Sequence, residues 1–71
     1  MPANDPVHVD ARGMKCPWPA LRAARAMRLA DAVTVEADDP NAARELAALT
    51  QQQGWKLTAT AAHRFELTRE Y

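Results

Sequence analysis

The sequence predicts a two-layer α/β sandwich with the element order β-α-β-α-β-β. Four short segments alternate apolar and polar residues, as half-buried strands do, and two longer segments carry apolar residues at helical spacing. Each strand keeps one polar face, whereas a sheet covered on both sides would show continuous apolar runs. We therefore expect a four-stranded mixed sheet with both helices packed on one face and right-handed strand-helix-strand crossovers.

The chain of 71 residues is long enough for one small hydrophobic core. Residues 1–6 contain two prolines and predict a flexible N-terminal tail. Residues 7–71 predict a single domain. The apolar content of the whole chain, 48%, favours a packed core over disorder.

The first strand is predicted at Val7–Asp10 and the first helix at residues 17–29. Pro17 suits the first helical position, because its missing N–H would have no intrahelical partner there. Leu21 and Met27 fall on the predicted apolar face of this helix. A ridge of arginines occupies another side: Arg22, Arg25 and Arg28.

The second strand is predicted at residues 32–37, and a helix with marked ends follows it. Asp39 is the expected N-cap, Pro40 the first helical position and Gly54 the C-terminal stop. The segments "WKLTATA" and "RFELTRE" alternate again, with a tight turn at residues 62–63 between them, and predict a closing hairpin.

Composition excludes several classes of protein. Nine basic and nine acidic side chains cancel, which argues against direct nucleic-acid binding. Small secreted domains usually carry several cysteines, so the single cysteine here predicts a cytoplasmic protein. No apolar run suggests a membrane span, and the N-terminus does not resemble a secretory signal. His8 and His63 lack metal-ligand spacing, and we expect neither a metal nor a cofactor.

The lone cysteine, Cys16, lies in the stretch "CPWP" at the predicted start of the first helix. A helix N-terminus favours an anion, and Arg12 and Lys15 should add positive potential, so we expect a lowered thiol pKa. Pro17 and Pro19 fix two backbone angles in the following turn. The result should be a rigid loop that presents sulfur to the cleft of a partner.

Several interpretations of Cys16 stay open from the residues alone. It can carry a group, attack a group brought by a partner, sense oxidants through a mixed disulfide, or be a buried structural residue. No second cysteine can resolve an oxidised Cys16, which excludes a self-contained thioredoxin-type cycle. Asp10 is expected to close the loop by accepting backbone N–H groups, with a general base for Cys16 as the alternative.

Candidate partner contacts lie next to the cysteine in sequence. Trp18 is outside the predicted apolar face and is either a contact anchor or a cover for the helix start. The arginine ridge is either a solvated helix face or a docking surface for an acidic partner. We expect a monomer that docks partner proteins, with these candidate residues: Lys15, Trp18, Arg22 and Arg25.

The stretch "VDARGMKCPWPAL" resembles the signature of the TusA (SirA-like) sulfur-carrier family, in which Cys-Pro-x-Pro opens a helix after a glycine-containing loop. The "ADDP" before the second helix and the closing hairpin are also similar, so the resemblance covers about Val7 to Arg69. It implies the same two-layer fold. It also implies that the cysteine accepts persulfide sulfur from a cysteine desulfurase or another donor and passes it to an acceptor protein.

The resemblance assigns roles by position. Cys16 would be the persulfide site, and Pro17 and Pro19 would form its rigid frame. The approach loop would consist of Asp10, Arg12 and Gly13. Family branches serve tRNA wobble-uridine 2-thiolation, sulfur oxidation and molybdenum cofactor assembly. Trp18 departs from the tRNA branch, where that position is often glutamate. The chain would be a sulfurtransferase-type carrier that needs partner proteins; a non-catalytic regulatory or redox-sensing domain is the alternative.

Overall fold

A computed structural model describes residues 7–69 and confirms the predicted element order. The strands are β1 (Val7–Asp10), β2 (Ala32–Glu36), β3 (Trp55–Ala61) and β4 (Arg64–Arg69), and the helices are α1 (Trp18–Met27) and α2 (Ala42–Gln53). The sheet order is β1-β2-β4-β3, with β1 parallel to β2 and the other neighbours antiparallel. The predicted tail, residues 1–6, lies outside the described residues.

The core lies between the helices and one face of the sheet. Val33 of β2 pairs with Val7 of β1 and with Leu67 of β4, and the next row on the same face continues the pattern with Val9, Val35 and Phe65. The same face of each strand is buried because side chains alternate between the two faces of a sheet with a period of two. The largest fully buried side chains are Met27, Leu46, Leu67, Val33, Val35 and Pro19. Neither helix in the described part of the chain is long and apolar enough to cross a membrane.

Helix α1 differs from its prediction at both ends and on its buried face. It spans Trp18–Met27 rather than residues 17–29, and Pro17 occupies the N-cap position. The buried side chains recur every four residues: Pro19, Ala23 and Met27. Leu21, expected in the core, is 52% exposed. The small Ala23 side chain lets the helix lie close to the sheet, and this face excludes Leu21.

Helix α2 begins two residues later than predicted. Asn41 holds the N-cap position, while Asp39, expected there, accepts the backbone N–H of Asn41 through Oδ1 at 2.8 Å. Pro40 therefore precedes the helix, because this Asp39–Asn41 turn must close before the helix begins. Gly54 ends the helix with φ of +76°, a left-handed conformation that favours glycine, as predicted.

Candidate functional site

Two loops that follow the parallel strands β1 and β2 form the candidate site. Parallel neighbours end at the same edge of a sheet, so residues 11–17 and 37–41 lie side by side. The N–H of Gly13 donates to Oδ1 of Asp38 at 2.9 Å, and the N–H of Cys16 donates to Oδ2 of Asp39 at 2.8 Å. Carboxylates of the second loop therefore hold the backbone of the first.

Cys16 is exposed in a tight turn at the entry to α1. The N–H of Trp18 donates to the carbonyl of Lys15 at 2.9 Å, which places Cys16 and Pro17 at the centre of the turn. The Cys16–Pro17 peptide bond is cis. The N–H of Leu21 donates to the carbonyl of Pro17 at 3.1 Å and joins the turn to the helix. The exposed position shows that the interpretation of Cys16 as a buried structural residue is wrong.

The surroundings of the thiol are acidic, and the predicted lowering of its pKa is wrong. Glu45, in the first turn of α2, raises the pKa of the Cys16 thiol, first as a hydrogen-bond acceptor. Partial desolvation and the negative charges of Glu45 and Asp39 raise it further, against an opposing effect of Arg44. The carboxylates therefore decide the direction in which this pKa moves.

Arg12, expected to support a thiolate, is engaged by acids at the end of β1. Its Nε and Nη2 atoms lie 2.9 and 3.0 Å from the two carboxylate oxygens of Asp10, and Nε lies 3.7 Å from Oε1 of Glu36. Asp10 also accepts the backbone N–H of Arg12 at 3.2 Å, which closes the loop as expected. The bonds from Arg12 lower the pKa of Asp10 to about 2. Such a carboxylate is a weak base, which argues against the general-base alternative.

Gly13 sets the path of the first loop. Its φ of +79° lies in the region that favours glycine. Apart from its two chain neighbours, no described residue has a heavy atom within 4 Å of a Cβ built there. Its conformation, and not crowding, therefore calls for glycine. Both loops line a shallow cleft of about 410 Å³, this loop with residues 13–15 and the other with residues 38–40. Within residues 7–69, no three or more His, Cys, Asp or Glu side chains are grouped to hold a metal ion.

The candidate docking residues occupy two separate surfaces. Trp18 is 58% exposed and lies two residues after Cys16, and Lys15 directly precedes Cys16. The exposed Leu21 follows Trp18 by one helical turn. Arg22 and Arg25 instead line a groove between α1 and the edge strand β1. Lys15 and Trp18 therefore belong to the cysteine turn, and the structure places the two arginines on a different surface.

The sequence alone does not single out two acidic residues of this site. Asp38 accepts the N–H of Gly13, and Glu45 has the largest effect on the pKa of the Cys16 thiol. A signal for Asp38 is present in the sequence, because a crossover between adjacent parallel strands places "ADDP" beside the cysteine loop. Glu45 depends on how α2 packs, which local spacing does not specify.

Comparisons with known proteins agree with this fold. The family model described as sulfurtransferase TusA matches residues 7–68. Among solved structures, the SirA-like protein from Desulfitobacterium hafniense is similar, with a TM-score of 0.68 and 25% sequence identity. That similarity covers 87% of this chain and 92% of the other. No curated protein matches the sequence.

Proposed function

The chain belongs to the TusA sulfurtransferase family, and from this premise we propose that Cys16 carries sulfur as a persulfide between two partner proteins. Membership of the family supports a sulfur-carrier role. The observation that supports this specific site is the exposure of Cys16, the only cysteine of the chain, in a turn fixed by the neighbouring loop. An exposed thiol can enter the site of a donor protein and later that of an acceptor.

The proposed loading step is a thiol-persulfide exchange. The Cys16 sulfur attacks the terminal sulfur of a donor persulfide, so one S–S bond forms while the donor S–S bond breaks. The donor leaves as a thiolate and takes up the proton that Cys16 loses. No oxidant or reductant is consumed. The activating base is therefore expected in the donor's site, because Glu45 raises the pKa of the thiol.

A raised thiol pKa fits a carrier that is loaded only in a complex. The free thiol stays protonated at neutral pH, and a protonated thiol reacts slowly with dissolved oxidants. A base in the donor's site would then activate it where sulfur is available. Oxidant-sensing cysteines instead have low pKa values, which makes the sensor alternative the weaker one.

The proposed donor is a cysteine desulfurase or another persulfide protein, docked on Lys15 and Trp18. Trp18 is exposed two residues after Cys16, and tryptophan is one of the residue types enriched among interface anchors. The acceptor is a downstream sulfur-transfer protein. Wobble-uridine 2-thiolation is one destination to test, and sulfur oxidation and molybdenum cofactor assembly are the alternatives.

Transfer of radiolabelled sulfur tests this proposal. The protein is incubated with a cysteine desulfurase and radiolabelled cysteine, and label that dithiothreitol releases from the protein is counted. We expect label on the native chain and none on Cys16→Ser. Trp18→Ala should keep the thiol and load about tenfold more slowly, whereas the control Thr58→Ala, at an exposed residue of β3, should load normally. Label on Cys16→Ser would contradict the proposal.

A further inference from the structure

We infer that the groove between β1 and α1 binds an extended acidic segment of a partner protein, which adds a strand to the sheet. The groove has a volume of about 370 Å³. Strand β1 forms one wall, and the other is formed by Arg22, Arg25, Ala26 and Leu29. This site does not include Cys16 and does not depend on the proposed sulfur chemistry.

The first argument is the open edge of β1. Within the described residues this strand pairs with β2 alone. The N–H of Ala11 points toward β2, where it donates to the carbonyl of Glu36 at 2.7 Å. Backbone groups alternate in direction along a strand, so the N–H and C=O of His8 and Asp10 point away from the sheet. Such a row of backbone groups pairs with a short extended peptide.

The second argument is the apolar end of the groove. Val7 is 41% exposed and Leu29 is 84% exposed, although both are large apolar side chains. Ala26 lies between them and the arginines on the helix wall. One apolar side chain of a bound segment would remove this surface from water.

The third argument is the charge of the other end. Because α1 runs antiparallel to β1 in the crossover, Leu29 lies toward Val7 and Arg22 toward Asp10. Arg22 and Arg25 form no ion pair within residues 7–69. The carboxylate that lines the groove, that of Asp10, is already engaged by Arg12. The groove is therefore electrostatically complementary to carboxylates on its occupant.

Charge also argues against a second copy of this chain as the occupant. A second copy would offer its own β1, "VHVD", whose one carboxylate, that of Asp10, is already engaged by Arg12. Such a strand brings no free carboxylate to Arg22 and Arg25. Every second side chain of a bound strand faces α1. The expected segment therefore has acidic residues at its first and third positions, facing the arginines, and an apolar residue at its fifth, facing the apolar end.

A synthetic peptide tests the inference directly. The probe is the hexapeptide Glu-Thr-Glu-Thr-Val-Thr with blocked ends, titrated into the isotope-labelled protein and followed by NMR. We expect saturable shifts and slowed hydrogen exchange at the amides of His8 and Asp10. Arg22→Glu combined with Arg25→Glu should weaken binding at least tenfold. The matched control, Arg28→Glu at the C-cap of the same helix but outside the groove, should bind within twofold of the native chain.

Further outcomes separate the alternatives. A peptide with the same side chains but N-methylated on alternate amides should not bind, because it cannot pair with β1; equal binding would overturn strand addition. No saturable shift at millimolar peptide would overturn the inference, and so would dimerisation through β1 seen by analytical ultracentrifugation. Cys16→Ser should bind the peptide normally. Loss of sulfur loading and loss of peptide binding are therefore separate results, so each hypothesis can fail without the other.

Discussion

The backbone N–H of Cys16 donates to Oδ2 of Asp39 across two loops, at 2.8 Å. The other oxygen of the same carboxylate accepts the N–H of Asn41, also at 2.8 Å. These two bonds lower the pKa of Asp39, and the bond from Asn41 has the larger effect. One ionised side chain therefore fixes both the residue that bears the thiol and the entry to α2.

Replacing Asp39 should loosen both loops. We expect Asp39→Ala to lower the free energy of unfolding by about 1 kcal/mol, since two exposed N–H groups lose a charged acceptor that water only partly replaces. Urea denaturation measures this change. Asp31→Ala is the control, because its exposed ion pair with Arg69 at 3.5 Å should contribute less than about 0.5 kcal/mol. Equal losses in the two variants would show that Asp39 has no special role.

The Asp10 carboxyl should titrate near pH 2, below its ordinary value of about 3.9. A folded pKa below the unfolded one means that the carboxylate contributes stability above about pH 4 and loses it as pH falls toward 2. Carboxyl NMR titration measures this pKa. Arg12→Gln should return it toward 3.9, and Arg28→Gln should not. An ordinary pKa for Asp10 in the native chain would contradict the assigned pairing with Arg12.

Glu45→Gln should lower the pKa of the Cys16 thiol, because it removes the charge of the group that raises this pKa most. The pH dependence of iodoacetamide alkylation reports the thiol pKa. We expect the variant to be alkylated faster than the native chain at neutral pH. Glu66→Gln, on the opposite face of the sheet, should leave the profile unchanged. A Glu45→Gln profile that matches the native one would rule out Glu45 as the cause.

Gly13 and Gly54 form a matched pair, with φ of +79° and +76° and, apart from their chain neighbours, no described heavy atom within 4 Å of an added Cβ. Alanine at either position should lower the free energy of unfolding by about 1 kcal/mol, because both backbones are left-handed. Only Gly13→Ala should slow sulfur loading, since Gly13 belongs to the loop that carries Cys16. Equal slowing in both variants would mean that stability, and not loop geometry, limits loading.

Most of the fold could be predicted from the sequence, because its signals are local. Alternation places Val33 and Val35 on the buried face, and Gly54 marks the end of α2. The buried face of α1 could not be derived in the same way. Alanines occur on several sides of this helix, so the sequence does not show which side faces the sheet. The helix packs close to the sheet through the small Ala23, and the larger Leu21 is left exposed.

The position of Cys16 at the start of α1 could also be predicted, but its electrostatics could not. Basic residues surround Cys16 along the chain, whereas the acids that act on it come from Asp39 and Glu45, more than 20 positions away. Charge counted along a sequence does not reveal which loops a parallel strand pair brings together. Similarly, Arg12 adds little positive potential at the thiol because Asp10 holds its guanidinium.

The most direct test of the proposed carrier role is the intact mass of the protein after incubation with a cysteine desulfurase and cysteine. We predict a gain of one sulfur atom that a reductant removes, on the native chain and not on Cys16→Ser. Asp10→Asn should still gain sulfur, because Asp10 acts on Arg12 and not on the thiol. A native chain that gains no sulfur from desulfurases active on another carrier, or a Cys16→Ser variant that gains it equally, would contradict the proposal.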